Sequence, residues 1–318
     1  MENFIKGLVS VVITTHNRCE LVIRAIESVL NQTYKDTEII VVDDCSNDDT
    51  EVAVRDFSNR LLYVRHTTNK GGVAARMTGT RAAKGEYIAF LDDDDQWEAE
   101  KIEKQVHLAK RSEQDCAVIT CGTKIFLDGD TVPLISMPKL NGNIRDGILN
   151  IGLSTVPSCH LFRRSCFEGM GGYDLDLPAH NEHDIWMKMA DKNYSTRTLK
   201  EACVIIYEDD RPRMMTDVSK RIEAFMSFNK KWEKKVYEWY GEKAGRVFWK
   251  RYLSDKMVGN AMLLAQQGNL KGAWLMFRVS IPYLSWRDVG KVTSFAVCLV
   301  LPNSMIKWLR WLKGNLKL

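Results

Sequence analysis

The chain is predicted to be an α/β protein: a mostly parallel sheet flanked by helices, followed by a helical C-terminal region. Three observations predict this. Short β-branched apolar runs alternate with segments of helical periodicity through the first two thirds of the 318 residues, the pattern of repeated strand–helix–strand units. Near residue 213 the strand signals give way to long amphipathic helical patterns. Charge divides at the same place: residues 1–212 hold 25 Lys and Arg against 34 Asp and Glu, whereas residues 213–318 hold 20 against 7.

Residues 9–13 (VSVVI) form the first predicted strand and end in the polar turn 14–18 (TTHNR). Next, Leu21 with Val22, Ala25 with Ile26 and Val29 with Leu30 recur four residues apart, which puts one apolar stripe on a helix. Residues 38–42 (EIIVV) are a second buried strand, closed by Asp43 and Asp44. A helix is expected after Asp49, a third strand over 61–65, a turn at 69–72 (NKGG) and a small-residue helix over 73–84. The fourth strand, 87–91 (YIAFL), runs straight into Asp92, Asp93, Asp94 and Asp95. Residues 116–121 and 204–207 read as further strands, and 220–240 and 243–267 as long helices.

Composition narrows the function classes. With 45% hydrophobic and 27% charged residues the chain is not disordered. No signal peptide is expected at the N-terminus, where an apolar run continues into the first strand without a small-residue cleavage site. The longest apolar candidate, 292–301, falls short of the roughly 18 residues of a membrane-spanning helix. The eight cysteines contain no Cys-x-x-Cys pair, so buried reduced thiols are expected rather than a zinc site. Neither a G-x-G-x-x-G after the first strand nor a Walker A loop occurs, which argues against dinucleotide oxidoreductases and P-loop NTPases.

Ligands of open α/β sheets bind beyond the carboxyl ends of the strands. Three polar clusters fall there: residues 14–18, Asp43 with Asp44, and Asp92 to Asp95. Adjacent carboxylates repel by about 1 kcal/mol or more per pair. A hard divalent cation relieves that repulsion, and Mg²⁺ commonly takes one or two carboxylates together with a substrate diphosphate. A solvated acidic turn is the alternative for an isolated run, and the strand context favours the cation.

Segments 9–18 (VSVVITTHNR), 38–50 (EIIVVDDCSNDDT), 69–76 (NKGGVAAR) and 85–97 (GEYIAFLDDDDQW) come in the order and spacing of the family 2 glycosyltransferases, which the chain resembles over about residues 8–210. The resemblance implies a GT-A fold, a Rossmann-like, mostly parallel sheet domain over 1–212. Its nucleotide-binding part covers about 1–115 and its acceptor-binding part about 116–212. The implied activity is transfer of a sugar from a nucleotide-sugar donor, by default a UDP-sugar, usually with inversion and with Mn²⁺ or Mg²⁺. By position, Thr14, His16 and Asp44 resemble the nucleoside pocket, and Arg76 the cation facing base or diphosphate. Asp92 and Asp94 match Asp-x-Asp, with Asp93 near the ribose. Asp94 is the implied metal ligand, supported by Asp92. Residues 171–174 (GGYD) and 179–188 (AHNEHDIWMK) resemble the acceptor side, where Glu182 takes the place of the family's catalytic Asp. Asp184 competes for that role. Trp97 and His160 are further acceptor-side candidates. A sugar nucleotidyltransferase and a non-catalytic carbohydrate-binding protein on the same fold are the alternatives.

Seven of the nine tryptophans lie in the basic region 213–318. Composition there fits either an anionic surface, membrane or nucleic acid, or a helical domain with its tryptophans inside. Residues 304–313 (SMIKWLRWLK) interleave apolar residues with cations, as an interfacial helix does. The resemblance points to a saccharide or polyprenyl-linked acceptor, so a membrane surface is expected as partner and nucleic acid is not. The expected location is cytoplasmic, peripheral at the inner face of the membrane. A homo-oligomer or an acceptor-docking role for these helices is the competing expectation.

Overall fold

The computed structural model describes residues 4–127, 131–151, 156–177, 179–208 and 217–300. The expected interfacial helix at 304–313 lies outside the described residues. Two compact units emerge, one of residues 1–176 with 181–211, the other of 177–180 with 212–318.

The first unit is built on one mixed sheet. Its first half follows the predicted alternation: β1 (Ile5–Thr15), α1 (Cys19–Leu30), β2 (Thr37–Asp43), α2 (Thr50–Arg55), β3 (Leu62–Arg65), α3 (Gly72–Ala82) and β4 (Gly85–Asp92). β1 pairs in parallel with both β2 and β4, and β2 with β3. Val9, Val11, Val12 and Ile13 are buried, because a central parallel strand is covered on both faces. The second half adds β5 (Asp95–Trp97), α4 (Lys101–Lys110), β6 (Cys116–Leu127), β7 (Leu134–Ser136), β8 (Gly142–Asn143) and α5 (Ile144–Ile151). After a 3₁₀ turn at Pro157–Cys159 come β9 (Leu161–Arg163), α6 (Arg164–Gly169), α7 (Asn181–Asp191) and β10 (Ser195–Glu208). The strand order is β3-β2-β1-β4-β9-β6-β10-β5, with β7 beside β6 and β8 beside β10.

Register fixes what meets at the carboxyl edge. Thr14 lies opposite Val42 on one side and Asp92 on the other, and Thr15 opposite Asp43. Three chain segments up to about 80 residues apart thus share one edge, as the open-sheet rule anticipates.

The second unit is helical: α8 (Val218–Tyr240), α9 (Glu242–Gln266), α10 (Leu270–Ser280) and α11 (Val289–Val300). Asp217 caps α8 by accepting from the Ser219 and Lys220 amides at 2.9 and 3.2 Å. The tryptophans divide by burial. Trp232 and Trp249 are buried, whereas Trp274 and Trp286 are 56% and 79% exposed. Among the described residues no helix is long and apolar enough to cross a membrane.

Candidate active site

The acidic run separates into three environments. Asp92, at the tip of β4, receives Arg76 Nη2 at 2.5 Å. Asp93 and Asp94 share Arg18 Nη1, at 2.8 and 2.9 Å. Asp95 opens β5 and turns inward, where Ser158 Oγ donates to it. Two arginines therefore offset much of the charge that was expected to fall to a metal alone. Burial pushes the Asp93 carboxyl up to about 6 although Arg18 pulls against it. Burial, then Asp92, pushes Asp95 up as well.

Arg76 reaches this tip through a chain of local causes. Asp44 accepts from the Lys70 and Gly71 amides at 2.8 and 2.7 Å and hydrogen-bonds His66 Nδ1 at 2.7 Å. It thereby holds the turn that starts α3, where Gly71 adopts φ +87°, a conformation costly for any residue with a Cβ. One turn into α3, Arg76 points at the strand tips. Asp44 was expected to accept from a nucleoside base. Here it is 3% exposed, and both its oxygens accept from protein donors that fix this turn.

Glu182 stands in the first turn of α7. Its Oε1 lies 3.4 Å from Arg76 Nη1, and its Oε2 accepts from the Tyr173 hydroxyl at 3.0 Å. One guanidinium thus bridges Asp92 and Glu182, residues from opposite halves of the sheet domain. Tyr173 is buried among Phe90 and Phe167, with ring centroids at 5.5 and 5.7 Å. The Arg76 guanidinium carbon lies 5.9 Å from the Tyr173 ring centroid. The turn before Tyr173 needs glycine: Gly172 has φ +59°, and a Cβ there would come within 2.9 Å of Met77. Lys188 Nζ donates to the Gly172 carbonyl at 2.7 Å and ties that turn to α7.

Electrostatics follow the geometry. Burial, reinforced by Asp92, pushes Glu182 up to about 7, while Arg76 and the Tyr173 hydroxyl restrain the rise. Burial alone would lower Arg76, but Asp92 and Glu182 outweigh it and hold the guanidinium charged. A carboxyl that titrates near neutrality is suited to proton transfer.

β1 runs on through Thr15, so Thr14 lies in its last two residues and His16 in the turn that follows, shorter than the expected 14–18. His16 Nε2 lies 3.1 Å from Asn17 Nδ2. Three acceptor-side candidates are internal. Trp97 is 4% exposed, donates to the Ser158 carbonyl at 2.9 Å and faces the Lys101 ammonium at 3.8 Å. His160 is fully buried, edge-on to Phe162 and Trp186, and burial lowers its pKa to about 3. Asp184 is also buried, 3.5 Å from Lys188. All three side chains are buried in this structure. Arg18 and Tyr173 were not anticipated. Arg18 meets residues 75 and 76 positions away, a pairing only the β1–β4 register creates. Tyr173 belongs to a recognised segment but needed the glycine turn to aim its hydroxyl.

Among the described residues no three His, Cys, Asp or Glu side chains converge on one point. Asp92 and Asp94 nevertheless sit 28% and 35% exposed, each with one carboxylate oxygen taken by an arginine and, among the described residues, the other outside any protein hydrogen bond. Two hard oxygen donors fit an ion such as Mg²⁺ or Mn²⁺ that completes its shell with water and diphosphate.

Comparison with known proteins agrees with this fold. The family model for Glycosyl transferase family 2 matches residues 10–171. UDP-Glc:alpha-D-GlcNAc-diphosphoundecaprenol beta-1,3-glucosyltransferase WfaP of Escherichia coli is 30% identical over 196 residues, 60% of this chain and 73% of that protein. Among solved structures, S. aureus TarS superposes with a TM-score of 0.64 at 19% identity, over 88% of this chain and half (50%) of that one. TarS has also been solved in complex with UDP-GlcNAc. The mannosyltransferase PcManGT of Pyrobaculum calidifontis, solved in complex with GDP-Man and Mn²⁺, superposes with a TM-score of 0.54 at 20% identity, over 92% of this chain and 86% of that one.

Proposed function

This chain belongs to glycosyl transferase family 2, and we propose that it moves a sugar from a nucleoside-diphosphate donor, uridine by preference, onto a hydroxyl of a saccharide or polyprenyl-linked acceptor. One observation carries the reading: the Arg76 guanidinium holds Asp92 and Glu182 together at the carboxyl edge of the sheet. That edge then has a diphosphate side and a base side joined by one cation.

The chemistry is a single displacement with inversion. Glu182 takes the proton of the acceptor hydroxyl as its oxygen attacks the anomeric carbon, and the diphosphate departs from the opposite face. Positioned general-base help is worth about 10²–10⁴-fold. Tyr173 keeps the Glu182 carboxylate oriented, and Arg76 keeps it beside the reacting diphosphate. Thr14, His16 and the rest of the turn 14–18 hold the nucleoside, with Asp93 toward the ribose. Asp94, with Asp92, would hold Mn²⁺ or Mg²⁺, which when bound neutralises charge on the leaving diphosphate. The donor class draws support from the UDP-GlcNAc and GDP-Man complexes of the structural neighbours. The acceptor class draws on the diphosphoundecaprenol substrate in the name of WfaP. An acceptor of that kind lies in a bilayer, so the chain works as a peripheral protein at the cytoplasmic membrane face.

Incubation with UDP-glucose, UDP-GlcNAc or GDP-mannose and Mn²⁺ tests the reading. Release of nucleoside diphosphate with transfer to a GlcNAc-diphospholipid supports it. Pyrophosphate release would instead mark a sugar nucleotidyltransferase. Binding without any turnover would mark a carbohydrate-binding protein on this fold.

A further inference from the structure

We propose that the turn between α10 and α11 is a docking surface for an anionic lipid bilayer, with Trp286 seated at the headgroup level. The proposal rests on the lipid-linked acceptor read above and names a surface that brings the chain to it.

Exposure is the first observation. Ile281, Trp286 and Val289 are 53%, 79% and 60% exposed within nine residues. Trp274 on α10 and Val300 on α11 extend the apolar exposure along the same two helices. Large apolar groups left in water forgo the free energy of burial, so a cluster of them suggests a partner.

The turn is also held in place. Ser285 donates through its amide and its hydroxyl to Asp288 Oδ2, at 2.8 and 2.7 Å. Asp288 returns a backbone bond to the Ser285 carbonyl at 2.9 Å. Ser254 of α9 donates to Asp288 at 3.3 Å, and Lys291 ion-pairs with both Asp288 and Asp255. Burial would raise the Asp288 carboxyl, but Lys291 and Ser285 outweigh it and bring it down to about 2. The carboxylate stays ionised and the network stays closed. Between the two helices, Phe277 of α10 stacks on Phe295 of α11 at 4.4 Å. Trp286 is therefore presented by a braced turn.

Charge selects the partner. Residues 270–300 contain Lys271, Arg278, Arg287 and Lys291 but a single acid, Asp288, which is buried and paired. An ordinary solvated helical surface mixes both signs. Lys291 is held by Asp255 and Asp288, so the exposed charges of this segment are Lys271, Arg278 and Arg287, all cationic, and the Arg287 guanidinium lies 5.2 Å from the Trp286 ring centroid. A bilayer with anionic headgroups satisfies both: the indole enters the interface while the cations meet phosphate.

Cosedimentation of the full chain with vesicles tests this, using phosphatidylcholine with and without phosphatidylglycerol. The chain should partition onto the anionic vesicles, with a blue shift of tryptophan emission. Trp286→Ser combined with Val289→Ser should weaken partitioning about tenfold or more. Arg287→Gln, a milder surface change, should weaken it about fivefold on anionic vesicles and leave neutral ones unaffected. Partitioning equal to the parent chain in both variants would overturn the proposal. So would a parent chain that ignores vesicles while the double variant dissociates a dimer in sedimentation velocity, which would make a second copy the occupant. No donor sugar enters this assay, so an inactive transferase and a misplaced docking surface give separate results.

Discussion

Replacing Tyr173 by Phe removes one hydroxyl and little else. The ring keeps its place among Phe90 and Phe167 and beside Arg76. What disappears is the 3.0 Å bond to Glu182 Oε2, a bond that favours the ionised carboxylate. Hydrogen bonds to charged groups are worth about 1.5–3 kcal/mol, and each pH unit of displacement corresponds to about 1.4 kcal/mol. The half-ionisation point of Glu182, pushed up to about 7 by burial, should therefore climb by about one to two pH units in Tyr173→Phe. A base must be ionised to act, so its activity rises as pH rises through that point. Near pH 7 the variant should lose about five- to fiftyfold in kcat, and regain most of it as the pH is raised. Donor KM should change little. The assay is a pH profile of nucleoside diphosphate release for both proteins in one buffer series. A loss of the same size at every pH, or an unshifted profile, would refute the role given to this hydroxyl.

Arg76→Leu strips the shared cation from Asp92 and Glu182. Breaking a buried ion pair costs about 3–5 kcal/mol, and the 28% and 22% exposure of the two carboxylates favours the low end; urea unfolding reads it, with Arg76→Lys expected to recover part. His160 is buried and its pKa is lowered to about 3 from 6.5, so between those values the unfolded chain binds the extra proton. Its contribution is complete above pH 6.5 and is lost as pH falls, at about 1.4 kcal/mol per pH unit. His160→Leu should flatten the acid limb of the stability curve by that slope, whatever its effect at neutral pH. EDTA should abolish nucleoside diphosphate release and Mn²⁺ should restore it. Asp94→Asn should raise the Mn²⁺ needed for half-maximal activity about tenfold or more; activity indifferent to EDTA would remove the ion from the scheme.

How far the sequence foretold all this varies with the physics involved. Strands such as 9–13 and 87–91 were legible because burial on both faces demands unbroken apolar runs, and the carboxyl-edge clusters followed from where those runs stop. Partner choice was not legible. That Arg18 would neutralise Asp93 and Asp94 depends on a register formed across 75 residues of chain. The depth of a side chain was not legible either: Trp97, His160 and Asp184 are buried, with Trp97 donating to the Ser158 carbonyl and His160 edge-on to Phe162 and Trp186. Asp44 sits where the family resemblance put it, yet its oxygens serve the glycine turn. In the tail, composition left the tryptophans undecided, and the helices divide them, burying Trp232 and Trp249 while exposing Trp274 and Trp286.

At the centre of the account is a carboxylate at the sheet edge that deprotonates the acceptor. Glu182→Gln keeps the size of the side chain and an acceptor oxygen for Tyr173, and deletes the basicity. Single-turnover transfer from UDP-glucose to a GlcNAc-diphospholipid, measured beside UDP affinity, tests it most directly. The account predicts a fall in the transfer rate of about 10²–10⁴-fold with UDP affinity nearly unchanged. Transfer within a few fold of the parent enzyme would contradict it.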